Sequence, residues 1–275
     1  MRAINFYAII LFSFKIYACT CFTSNTTLEF YESEYVFKGF VGSKKYAKDS
    51  LTYEVTFKIL EHFKENVSNP KKISFKLKSE SVYTGTWTSC DWSVHKDQTW
   101  LVFAKKDDSG NLTFSGICSN SRLLDKRPLS DWDKETLKKA NQFKLENYIY
   151  SNELNFSFTE TIINLDSIIK VENVKDYKKS FAWLKLLIDS EGNLIDIIHP
   201  NNLKQIKDKT NGLTREVENT NKTALSEFEK DAIRLLSEIK KWRIKKHIKT
   251  NTPVSYIQHI SIEFDKKSHS WHFEF

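Results

Sequence analysis

The first half of the chain places apolar residues at short intervals. Leu51-Thr52-Tyr53-Glu54-Val55-Thr56-Phe57-Lys58-Ile59-Leu60 alternates apolar and polar, the mark of a strand with one buried face. Tyr35–Val41 and Ile73–Leu77 are rich in aromatic and β-branched residues and also predict strands. Trp100-Leu101-Val102-Phe103-Ala104 is a continuous apolar run and predicts a strand buried on both faces. Asn111–Phe114 follows the turn Asp108-Ser109-Gly110 and closes a hairpin. Five strands without an intervening helix predict a small Greek-key barrel. Near Ser130 the period changes. Ser130 and Asp133 make an N-cap pattern, and Trp132, Leu137, Ala140 and Phe143 give a helix one apolar side.

In the second half, Phe181–Asp189 and Leu194–Ile198 read as strands joined by the turn Ser190-Glu191-Gly192-Asn193. A polar stretch from Asn201 to Asn221 reads as a loop. Ser226 and Glu229 form a capping box. Leu225, Phe228, Ala232, Leu235, Leu236, Ile239 and Trp242 then recur at three and four, a helix stripe. Lys240, Lys241, Arg243, Lys245 and Lys246 follow, where cations suit the helix dipole. Pro253 precedes a last strand, Val254–Phe264. The order ββαβ predicts an α+β layer.

At ~100–200 residues per domain, 275 residues hold about two domains. The expected division is a segment 1–18, an all-β barrel with a flanking helix over 19–147, a connector over 148–174 and an α+β domain over 175–275. With 40% hydrophobic residues, wholesale disorder is excluded. The apolar run from Ile4 to Phe14 is about half the ~20 residues of a membrane span and reads as a secretory signal. Cleavage after Ala18 leaves Cys19 first, and the protein is expected to be secreted or held in a cell envelope. Residues 16–19 also fit a loose lipoprotein box, so membrane attachment is expected only with a lipidated Cys19.

Removing residues 1–18 takes away Arg2 and Lys15 and no acid, so the net charge falls from +7 to +5. That mild, dispersed excess does not point to nucleic acid. The four cysteines, Cys19, Cys21, Cys90 and Cys118, all lie in the exported part. An even number in an oxidising compartment predicts two disulfides. Cys19 and Cys21 are too close to bridge each other without strain, which leaves two pairings with Cys90 and Cys118. A zinc site is disfavoured, because Cys90 and Cys118 are single rather than paired at metal-ligand spacing.

Cys19-Thr20-Cys21, the Tyr-Val-Phe-Lys-Gly strand, the lone Cys90, Trp-Leu-Val-Phe-Ala and Cys118-Ser-Asn-Ser-Arg-Leu-Leu together resemble the netrin-like module. Within it, the pattern is most similar to the tissue inhibitors of metalloproteinases. The resemblance implies an oligonucleotide/oligosaccharide-binding (OB) barrel and the pairings Cys19–Cys90 and Cys21–Cys118. It also implies that the free amine and carbonyl of Cys19 chelate the zinc of a target metalloprotease, with Thr20 in the neighbouring pocket. An α-amine of pKa ~8 loses its proton readily beside a metal and can displace the metal's water. The third disulfide and the second cysteine-rich domain of the eukaryotic inhibitors are missing here.

Residues 175–264 resemble the C-terminal domain of TonB-like proteins, through the Ile-Asp-Ser-Glu-Gly-Asn turn, Lys241-Trp242-Arg243 and the closing Pro-Val…Ile-Glu-Phe strand. That implies recognition of a peptide or receptor by strand addition. The Pro that commonly follows two residues after the family's Trp is Ile244 here. Energy transduction is not expected, since the chain carries no Pro-rich spacer. No nucleophile elbow, zinc-protease helix, P-loop or dinucleotide fingerprint occurs. His269-x-x-His272 reads as an exposed polar tail rather than a metal site. The expectation is therefore a non-enzymatic binding protein without a cofactor. Its partner would be a metalloprotease or, alternatively, an envelope protein bound at the second domain.

Overall fold

The computed structural model describes residues 21, 23–65, 68–151, 156–158, 175–199 and 224–274. The chain divides into two compact units: residues 1–23 with 33–128, and residues 24–32 with 129–275.

The first unit contains β1 (Tyr35–Tyr46), β2 (Thr52–His62), β3 (Lys72–Lys78), β4 (Thr99–Lys106), β5 (Leu112–Thr113) and β6 (Arg122–Leu123). All pair antiparallel in the order β3-β2-β1-β4-β5, with β6 also on β4. β3 and β5 approach each other across the remaining gap, so the sheet is a nearly closed, OB-fold-like barrel. Alternation does the work in β3: Ile73, Phe75 and Leu77 are buried while Lys72, Ser74, Lys76 and Lys78 are exposed. The core is aromatic. Phe75 meets Phe114 at 4.8 Å and Phe57 at 5.7 Å, both edge to face. β1 shifts register between Lys38 and Gly39, where a side chain would lie 2.8 Å from the Phe37 ring. The glycine lets the strand bend over its own core.

The second unit holds α1 (Thr26–Glu32), α3 (Asp131–Ala140) and α4 (Glu227–Glu238); a four-residue helix α2 (Ser81–Thr84) belongs to the first. Its strands are β7 (Ile149–Tyr150), β8 (Phe156–Phe158), β9 (Phe181–Ile188), β10 (Leu194–Ile198), β11 (Lys245–His247), β12 (Pro253–Asp265) and β13 (Ser270–Glu274). The sheet order is β10-β9-β12-β11-β8, with β13 antiparallel and β7 parallel on β12. β9, β10, α4 and β12 form the expected ββαβ arrangement. Phe228, Ala232, Leu235 and Leu236 of α4 share one core with Ala182, Leu184, Leu186 and Ile188 of β9 and with Ile260 and Ile262 of β12. Each large side chain so buried contributes ~1.5–3 kcal/mol.

Several local expectations are corrected. α4 stops at Glu238, because Ile239 is extended (φ −82°, ψ 94°). Trp242 stays buried beyond the helix, its indole N–H donating to the Ile239 carbonyl at 3.0 Å. The basic residues fall past the last turn, although Lys240 still donates to the Ser237 carbonyl. Lys245 lies in β11, buried, with its ammonium 4.0 Å from the centre of the Tyr150 ring. Trp132, expected on the apolar side of α3, is 56% exposed. The C-terminal segment is no polar tail: it forms β13, held by Trp271, which stacks on Phe228 at 4.9 Å.

Candidate functional site

Of the residues singled out at the N-terminus, Cys19 and Thr20 lie outside the described residues, as does the segment 1–18. Cys21 is bonded to Cys118, with Cα atoms 5.6 Å apart. Cys90 is also a half-cystine. Ahead of Cys90, α2 ends on Gly85 in the left-handed region (φ 67°), and Val82, Tyr83 and Trp87 stand exposed. Asp91 fixes the start of α2 by accepting from the Ser81 backbone N–H at 3.1 Å and from its hydroxyl at 2.5 Å.

A second site forms in the other unit, on β9. Alternation puts Ala182, Leu184, Leu186 and Ile188 into the core and turns Phe181, Trp183 and Lys185 outward. Phe181 and Trp183 are 45% and 56% exposed. β10 pairs with β9 only from Ile188 to Lys185, the last described pair being Ile198 with Lys185. Phe181–Leu184 therefore has no partner strand on that side among the described residues. A pocket of about 410 Å³ opens there. Phe181, Ala182, Trp183 and Lys185 form its β9 wall. His259 of β12, directly opposite Lys185 in register, lines it as well.

Three lining residues, Lys179, His199 and Glu229, form a polar network with Glu229 at its centre. As the third residue of α4, Glu229 accepts from the Ser226 N–H at 2.7 Å and the Ser226 hydroxyl at 2.9 Å. Its other oxygen takes Lys179 at 2.7 Å and His199 at 3.2 Å. Burial pushes this carboxyl up, but the hydrogen bonds from Lys179, Ser226 and His199 outweigh it and bring the carboxyl down to about 2. Two residues on, burial of Asp231 is outweighed by hydrogen bonds from Lys175 and Tyr177, both at 2.7 Å, so its carboxyl also sits below the usual range. Burial, and then the Lys185 charge, hold the His259 imidazole below its ordinary range.

Among the described residues, no group of three or more His, Cys, Asp or Glu is placed to hold a metal ion. His272 instead meets the Ser270 hydroxyl at 3.0 Å. Nor is any described helix long and apolar enough to cross a membrane. No protein-family model matches the chain, and no curated protein matches it. The likeness to netrin-like and TonB-like domains thus rests on the residues quoted above and on the two-unit architecture.

Sequence reasoning passed over Trp183, Lys185, His199 and His259. The available signal was in β9, where two aromatic residues and a lysine occupy the polar phase of an otherwise regular alternation. The opposition of Lys185 and His259 depends on strand register and had no local signal.

Proposed function

We propose that this chain is an exported, non-enzymatic binding protein whose second unit takes an extended peptide segment of an envelope partner by strand addition. The observation that carries this reading is strand β9, which β10 covers only in part among the described residues. Phe181–Leu184 lacks a described neighbour beyond the end of β10, and exposed aromatic side chains and a pocket flank that stretch. An unpaired strand offers main-chain donors and acceptors, and the pocket beside it offers side-chain selectivity. Amide hydrogen exchange tests the reading on residues 19–275, with and without a peptide selected from a random library on the same protein. Protection confined to Phe181–Leu184 is expected. A bound peptide that protects none of these amides rejects strand addition at this edge.

A second reading, inhibition of a metalloprotease through the amine and carbonyl of Cys19 with Thr20 beside it, is favoured by one observation. The Cys21–Cys118 bond ties the N-terminal segment to the barrel two residues after Cys19. Cys90 is a half-cystine as well, and the netrin-like resemblance implies Cys19 as its partner. Such a tether lowers the ordering cost of presenting an N-terminus to a metal. One extra residue before Cys19 is expected to abolish inhibition; undiminished inhibition refutes the mechanism.

A further inference from the structure

Lys185 and His259 face each other across β9 and β12 on the outward side of the sheet. Side chains at directly opposed positions have Cβ atoms ~4.5–5.5 Å apart. Among the described residues, neither side chain has a hydrogen bond or ion pair. The contrast with the rest of the pocket is sharp. Lys179 and His199 are both engaged by Glu229, the only carboxylate of the lining among the described residues. What remains is an unsatisfied ammonium and imidazole in the same pocket as the exposed Trp183 and Phe181 rings.

We propose that this pocket recognises an acidic residue flanked by an aromatic or apolar residue in the partner's peptide. The carboxylate would lie between Lys185 and His259, and its apolar neighbour on Trp183. The inference rests on the peptide-binding reading above and adds the partner's chemistry. Charge complementarity selects the occupant. A carboxylate here gains a charge-assisted hydrogen bond from the Lys185 ammonium and a hydrogen bond from the His259 ring N–H. An extended strand also places neighbouring side chains on opposite faces and every second one on the same face. An acidic residue and an aromatic residue two positions away can therefore face Lys185 and Trp183 together. The volume, about 410 Å³, suits one or two side chains rather than a folded surface.

The test is selection from a phage-displayed random dodecapeptide library on immobilised protein comprising residues 19–275, repeated with Lys185→Gln and His259→Gln. Enrichment of Asp or Glu two positions from an aromatic or apolar residue is expected on the parent protein and lost on Lys185→Gln. The synthetic form of such a peptide should bind the parent about tenfold more tightly than its Gln counterpart, and Lys185→Gln should erase that ratio. The free Lys185→Gln protein should melt at about the parent's temperature, because Lys185 has no hydrogen bond or ion pair to lose. Peptides enriched without acidic preference overturn this inference and leave strand addition standing. An acidic preference that survives Lys185→Gln also overturns it, by placing the carboxylate elsewhere. Failure to enrich any peptide overturns both.

Discussion

At the scale of single residues, the sharpest energetic feature is Glu229, a carboxylate with almost no solvent contact that four donor groups keep charged. Its folded pKa of about 2 lies below the ordinary 4.5. Stability from this group is therefore fully present above pH 4.5 and lost as the pH falls from 4.5 toward 2. The difference corresponds to roughly 3 kcal/mol. Glu229→Gln is expected to lose about that much at neutral pH, since it leaves Lys179 and His199 without their anion. It should also flatten the decline of stability between pH 4.5 and pH 2 in urea unfolding experiments. A variant whose acid dependence matches that of the parent would show that some other carboxylate governs the transition.

At the scale of elements, the turn between β9 and β10 shows how one residue holds a hairpin to the chain after α4. Gly192 has φ +80°, accepts the Trp242 N–H at 2.7 Å, and would place a side-chain carbon 2.4 Å from the Trp242 carbonyl oxygen. Gly110, with φ +81°, faces open space. Both should suffer on replacement by Ala, but unequally. Gly110→Ala is expected to cost about 1 kcal/mol from backbone strain alone, and Gly192→Ala about 3 kcal/mol because the turn must also move off Trp242. Equal shifts in the two melting temperatures would refute the role given to the close approach. This hairpin was legible in the sequence because Ser190-Glu191-Gly192-Asn193 announces it locally. β3 and the capping boxes of α3 and α4 were legible for the same reason: alternation and cap residues act within a few positions. β7, β11 and β13 were not, since each exists by pairing with β12. The end of α4 was misread because Ile239 and Trp242 keep the helical spacing while being buried by other means. The pocket was hidden for a related reason. Its walls come from β9, β12 and the start of α4, and only the pairing register reveals which side chains meet.

At the scale of the whole molecule, the path of the chain makes the N-terminal disulfide more than a local staple. Residues 24–32 count with the second unit, where Glu32 bonds His247 at 3.1 Å and Tyr31 meets Phe143 edge to face at 5.5 Å. From Ser33 the chain belongs to the barrel unit. Residues 24–32, which include α1, thus count with the second unit between two stretches of the first, and Cys21–Cys118 closes a covalent loop that contains them. The bond joins residues 97 apart in sequence, for which loop-closure entropy assigns about 4–5 kcal/mol. That contribution acts on the unfolded chain, so replacing both cysteines by Ser is expected to lower stability by about 4 kcal/mol. If the bonded loop is already closed when folding begins, the loss should fall mainly on the refolding rate rather than on the unfolding rate. Denaturant-jump kinetics of parent and double variant separate the two cases. Loss confined to faster unfolding would mean that the bond instead holds native contacts that form late, after the barrel has closed. A loss below about 1 kcal/mol would mean that the unfolded chain is held compact without it.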